Sequence, residues 1–175
     1  MNEVQPIRNK KDIAAMRRAL KDGRDRLLFV FGINSGLRIS DLLELKKSDT
    51  KTGVVEIVEK KTKKKKRFVL NDSILKELQK MDIADDEYLF ASRKGGKPIS
   101  RVQAYRILNA AAKRCGLTEI GTHTLRKTFG YHAYKRGTDL TLLMSIFNHS
   151  SEAQTLKYIG IRRDDIDATY KALNL

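Results

Sequence analysis

Residues 54–70 read VVEIVEKKTKKKKRFVL, and this stretch separates a mixed fold from a purely helical one. Val54, Val55, Ile57 and Val58 are β-branched and follow Thr52-Gly53, while Phe68-Val69-Leu70 is a second short apolar run. Such runs favour extended structure, and together they predict an antiparallel hairpin. Its connection, Lys60 to Arg67, is KKTKKKKR, with seven cations in eight positions.

Outward from the hairpin the chain turns helical. Upstream, Ile13, Met16 and Leu20 recur at helical spacing from Asn9 to about Ala19, and Leu27 to Ile33 is a denser apolar run ending in Asn34-Ser35-Gly36. Gly36 suits a turn that requires positive φ, after which Leu37, Leu42, Leu43 and Leu45 predict a further helix with Ser40 and Asp41 in its first turn. Downstream, Asn71-Asp72-Ser73 supplies an N-cap ahead of Ile74, Leu75 and Leu78. Tyr88-Leu89-Phe90 reads as a third strand, followed by a basic turn at 93–98. Ser100 caps a helix that Gly116 stops near Cys115, and another runs from about His123 to before Gly137. Leu140 to Phe147 is a short helix, Ser150 or Ser151 starts the next, and a last amphipathic helix carries Ile166, Tyr170 and Leu173. The expected class is α+β, mainly α, with a small antiparallel β-sheet in one domain.

The 175 residues hold 36 Lys+Arg against 21 Asp+Glu, a net charge of +15. By segment the excess is +4 for residues 1–50, +5 for 51–100 and +6 for 101–175. A disordered basic tail would concentrate charge at one end; even spreading implies a folded domain with a positive surface, whose natural partner is a polyanion. Neither a membrane-length apolar run nor a signal-type h-region is present, so no membrane association is expected. The lone Cys115 has no internal disulfide partner, and the three histidines form no zinc-type cluster. A reducing, cytoplasmic setting with nucleoid association follows as the expectation.

Three groups of residues could do chemistry. His123-Thr124-Leu125-Arg126 puts an imidazole and a guanidinium on one face at the N-terminal end of a helix, where the dipole already favours anions. His149 precedes two serines, with Tyr158 nine residues on. A phenol of pKa near 10 needs a proton acceptor and nearby cations to become a nucleophile. Arg38 directly follows the Gly36-Leu37 turn, which holds it in place. Each has an ordinary explanation as well: a core histidine, a half-buried aromatic, and a salt bridge from Arg38 to Asp41 worth a few tenths of a kcal/mol.

Taken in order, these groups resemble the catalytic domain of tyrosine recombinases, the phage-integrase family of site-specific recombinases, over nearly the whole chain. SGLRISDLLEL at 35–45 is similar to the family's first-arginine segment, HTLRKTF at 123–129 to its second box, Asn148-His149-Ser150-Ser151 to its Gly-His-Ser segment, and Thr155-Leu156-Lys157-Tyr158 to its nucleophile segment. Phe147-Asn148 stands where the family usually has Leu-Gly, and Asp41 where Glu is common.

The resemblance implies catalytic roles for Arg38, Lys61, His123, Arg126, His149 and Tyr158. Lys61 is chosen because Lys61-Thr62 looks most like the family's lysine motif on the hairpin turn; Lys60 and Lys63 compete for that role. Lys60, Lys63, Lys64, Arg93, Lys94 and Lys127 are expected to contact double-stranded DNA. The resemblance further implies that residues 1–175 are the catalytic domain, with the family's N-terminal core-binding domain absent, no cofactor and no metal. A homotetramer on DNA, docked through the C-terminal helix, is likewise implied, with packing of that helix in cis as the alternative. Three rival functions share part of this pattern: a DNA-binding remnant without strand transfer, a type IB topoisomerase-like relaxer, and an RNA-packaging protein that explains the charge alone.

Overall fold

In the computed structural model, residues 4–21, 23–161 and 163–173 are described. Helix α1 (Lys10–Ala19) is capped by the Asn9 side chain, which accepts from the Lys11 amide. Helix α2 (Gly23–Ser35) is apolar on nearly every side: Leu27, Leu28, Phe29, Val30, Phe31 and Gly32 are all buried. A helix of that kind belongs inside the core, and the others are laid around it. It packs against α4 (Asp72–Leu78) and α6 (Thr122–Lys135).

The hairpin forms as expected, with β1 (Val54–Val58) antiparallel to β2 (Lys65–Val69) and Ile57 opposite Lys66. β2 begins inside the cationic run, three residues earlier than the apolar pattern indicates. Alternation explains why this is tolerated: Lys65, Arg67 and Val69 face solvent while Lys66 and Phe68 face inward. Phe68 meets Phe31 of α2 edge to face at 6.4 Å between ring centres, which seats the sheet on the core.

Two expectations change. Among the described residues the sheet has two strands; Tyr88-Leu89-Phe90 makes only a single bridge to Lys46, and its apolar side chains serve the core instead. The helix expected over 37–45 is one turn, α3 (Ile39–Leu42), because the chain tightens at Leu43 and enters a 3₁₀ turn at Lys47–Thr50.

Beyond the hairpin come α5 (Arg101–Arg114), capped by Ser100, then α6, α7 (Leu140–Phe147), α8 (Glu152–Ile159) and α9 (Arg163–Ala172). Leu143, Phe147 and Ile159 form a second apolar cluster with Phe129 and Tyr158 at its edge. Gly130 of α6 is what lets this cluster close. A Cβ there would stand 2.6 Å from both the Phe147 ring and Ile159 Cγ2, so glycine is required for α6 to approach α7 and α8. Among the described residues no helix is long and apolar enough to cross a membrane.

Candidate active site

Gly36, at φ 63°, turns the chain from α2 into α3, and a Cβ there would lie 2.7 Å from the Phe129 ring. Arg38 follows as the extended residue before α3 and points inward, its side chain 18% exposed. It does not pair with Asp41. Its Nη1 lies 2.9 Å from Glu59 Oε2, off the line of a hydrogen bond, while Asp41 Oδ1 accepts from the backbone amide of Lys60 at 2.9 Å.

Arg126 sits on the buried face of α6, 3% exposed. Its Nη1 donates to the carbonyl of Gly36 at 2.6 Å and its Nη2 to that of Phe147 at 2.9 Å, with the Phe147 ring 4.7 Å from the guanidinium. Asn148 then leaves α7 in the left-handed conformation, φ 53°, a shape asparagine accepts readily. That reversal brings His149 back toward α8, where its Nδ1 lies 3.0 Å from Thr155 Oγ1. The Thr155 hydroxyl donates onward to the Ser151 carbonyl, so Nδ1 carries the imidazole proton and Nε2 is the nitrogen left for the pocket.

Tyr158 completes the group. Its ring lies 5.0 Å from that of His149 and 5.4 Å from that of Phe147, and its hydroxyl sits in the field of the Arg126 guanidinium. Burial pushes the phenol above its ordinary pKa, while the charges of Arg126 and Arg38 pull the other way. His149 is held below the usual imidazole value by burial and then by Arg126 and Arg38. Burial also lowers His123, followed by Lys127, Arg126, Arg101 and Arg38. Both imidazoles are therefore neutral near pH 7.

Arg38, Arg126, His149 and Tyr158 thus converge in one place, with His123 on the exposed rim of the same cationic field. Lys61 does not join them: it is exposed on the hairpin turn and has no hydrogen bond or ion pair among the described residues. Of the expected DNA contacts, Lys60, Lys63 and Lys64 lie exposed on that turn and Arg93 and Lys94 on the basic turn after Phe90, with Lys60 Nζ 2.7 Å from Glu44 Oε1. Lys127 is placed differently from the expectation. It is 4% exposed, with its ammonium 5.4 Å from the Tyr158 ring centre, because its position on α6 faces α8 rather than solvent.

Two groups in the site escape a reading of the sequence by composition. Lys66, 13% exposed in its side chain, donates to the Ile146 carbonyl at 2.9 Å and lies 3.8 Å from Glu59 Oε1. Burial first, then the field of Arg126, lowers its pKa to about 8. Glu59 is fully buried. Burial raises its carboxyl, yet the Thr62 hydroxyl, Arg38 and Lys66 outweigh this and hold it below the usual range. Period-two alternation was the available signal: Lys66 shares a face with Phe68, and Glu59 continues the inward series Val55, Ile57.

The sequence pattern of the phage integrase family matches residues 9–164. The chain is 50% identical over 176 residues to the probable integrase/recombinase YoeC of Bacillus subtilis (strain 168), spanning 98% of this chain and 97% of that one. A crystal structure of XerA recombinase superposes with a TM-score of 0.80 at 20% identity, over 99% of this chain and 65% of XerA. XerH site-specific recombinase, in a post-cleavage complex with a palindromic difH substrate, gives a TM-score of 0.74 at 21% identity, over 97% of this chain and 53% of XerH. The expected class stands, since these neighbours share the mainly helical fold with its small antiparallel sheet.

Proposed function

The chain belongs to the phage integrase family, and from that footing we propose that it is a DNA strand-transferase, the catalytic domain of a site-specific tyrosine recombinase. The observation that carries this is the meeting of Arg38 and Arg126 within the field of a single phenol, Tyr158.

A phosphodiester gains negative charge on its nonbridging oxygens as a fifth oxygen approaches, so two planar guanidiniums stabilise the transition state more than the ground state. One preorganised donor at such a site contributes roughly 3–4 kcal/mol. Tyr158 Oη attacks phosphorus, a new O–P bond forms to the 3′ side, and the P–O5′ bond breaks. His123, neutral near pH 7, takes the phenolic proton. Lys61 gives a proton to the departing 5′-oxygen, the general-acid step. His149 faces the phosphate with Nε2, which donates once the arriving anion favours the charged ring. The phosphotyrosyl bond retains the phosphodiester energy, so a second 5′-hydroxyl reseals the strand without a nucleotide cofactor.

A second reading gives the acid role to Lys66. It is favoured by the burial of that ammonium between Glu59 and the two arginines and by its pKa of about 8, whereas Lys61 must swing inward from an exposed turn.

Double-stranded DNA is the substrate, tracked by Lys60, Lys63, Lys64, Arg93 and Lys94. On it the chain assembles as a homotetramer through α9. Ile166 and Tyr170 stand 52% and 78% exposed there, and Leu173 follows at 67%, so this apolar face is left for a neighbouring protomer rather than packed in cis. The cytoplasm, on the nucleoid, is the setting that fits such a substrate. Incubating the chain with a randomised pool of nicked duplexes, whose cleaved end diffuses away, tests the reaction. An SDS-stable adduct that Tyr158→Phe abolishes supports strand transfer; DNA binding without any adduct supports a remnant of the fold.

A further inference from the structure

We propose that Glu59 is a positioning residue for strand cleavage, holding the first arginine, the hairpin turn and the loop before α8 in register through one buried carboxylate. This rests on the strand-transfer reading above.

Three segments meet at Oε2. Thr62 Oγ1 donates at 2.6 Å from the hairpin turn, Asn148 Nδ2 at 2.8 Å from the loop that carries His149, and Arg38 Nη1 lies 2.9 Å away at the start of α3. The backbone of Glu59 closes the same turn, its amide donating to the Lys64 carbonyl and its carbonyl accepting from the Lys63 amide, both at 2.9 Å. Lys61 stands inside that closed turn. Glu59 therefore fixes where the turn lysines start from, as well as the direction of the Arg38 fork.

Hydrogen-bonding capacity at this junction is incomplete: Arg38 Nη1 and Glu59 Oε1 are buried and without an in-line partner. Lys66 Nζ lies 3.8 Å from Oε1, and a phosphate oxygen is a group that would complete the arginine. Glu59 restrains the arginine at this junction.

Charge and position make opposite demands here, which gives the test its power. Glu59→Gln preserves shape and raises the pocket charge by one, so attraction for a DNA phosphate is unchanged or greater. It replaces the charged acceptor shared by the three segments with a neutral amide oxygen that holds Thr62, Asn148 and Arg38 more weakly, so the reacting groups lose register and only the transition state suffers. Thr62→Val removes the shortest of the bonds from a half-buried position, and serves if the buried substitution prevents folding.

The experiment measures single-turnover adduct formation and affinity on the randomised nicked duplexes, together with hydrogen exchange of the Lys60 and Lys63 amides. In both variants cleavage is expected to slow at least about tenfold at unchanged or tighter affinity, and the two amides to exchange faster; the double variant should be no slower than Glu59→Gln alone. Parent-like cleavage and exchange overturn the proposal, as does loss of affinity and cleavage in equal measure. If the parent chain itself forms no adduct, the strand-transfer reading falls, and the amides then decide separately: faster exchange upholds the carboxylate's hold on the turn, and unchanged exchange overturns it.

Discussion

Arg126 donates to the carbonyl of Gly36, two residues before Arg38, across 2.6 Å and ninety positions of sequence. Its second nitrogen grips the carbonyl of Phe147, again two residues before a site residue, His149. One buried guanidinium therefore sets the spacing of the segments that carry Arg38 and His149.

Arg126→Lys separates charge from fork. The ammonium cannot reach both carbonyls, so two buried acceptors lose charge-assisted donors, at a cost of about 1–3 kcal/mol each. Adduct formation should drop ~10²–10³-fold with a clear fall in melting temperature. A variant that melts and cleaves like the parent would remove Arg126 from both roles.

Acid should weaken the fold through the two imidazoles. His123 and His149 bind protons more reluctantly in the folded chain than the ordinary value near 6.5, burial being the leading cause in each. The unfolded chain thus takes up more protons in that window. Stability from this source is complete above about pH 6.5 and is lost as pH falls through the folded values. Melting temperatures measured from pH 7 down to pH 5 should decline, and less steeply in His149→Gln. A rise toward pH 5 would reverse the sign.

Replacing the scissile 5′-bridging oxygen by sulfur identifies the acid, because a thiolate leaves without a proton. Lys61→Ala should cleave the ordinary duplexes at least about a hundredfold more slowly and regain most of that rate on the sulfur substrate. Recovery by Lys66→Ala instead, with Lys61→Ala unaffected on both substrates, transfers the role to the strand.

Much of this architecture could be read from residue order, and the exceptions have physical causes. Capping made helix starts legible at Asn71 and Ser100, where a side-chain oxygen meets a free amide. Tyr88-Leu89-Phe90 misled because an apolar triplet satisfies a core as well as a sheet, and only a partner strand distinguishes them. Among the site residues, Arg38, Arg126, His149 and Tyr158 are those the family resemblance implies, and the fold brings them together. Lys66 and Glu59 were hidden by their surroundings: in a run of seven cations composition cannot tell which one turns inward, and a glutamate at a strand end looks like surface until its register is known. Lys127 looked like a surface contact for the same reason, since a charge beside His123 and Arg126 is indistinguishable in sequence from one beneath them.

Affinity for DNA should be strongly salt-dependent. With six to ten phosphates contacted, binding to a duplex would fall ~10³–10⁵-fold between 50 and 200 mM salt as counterions are released. A flat response in a filter or anisotropy titration would mean that the exposed turns bearing Lys60, Lys63, Lys64, Arg93 and Lys94 do not track the backbone.

Mass spectrometry of the trypsinised adduct tests the central claim most directly, because it names the residue bonded to the 3′-phosphate. Cleavage after Lys157 and Arg162 isolates Tyr158 in a short peptide of its own. The DNA remnant should be found on that peptide and on no other. A remnant on a peptide carrying Tyr131, Tyr134 or Tyr170 would contradict a site built from Arg38, Arg126 and Tyr158.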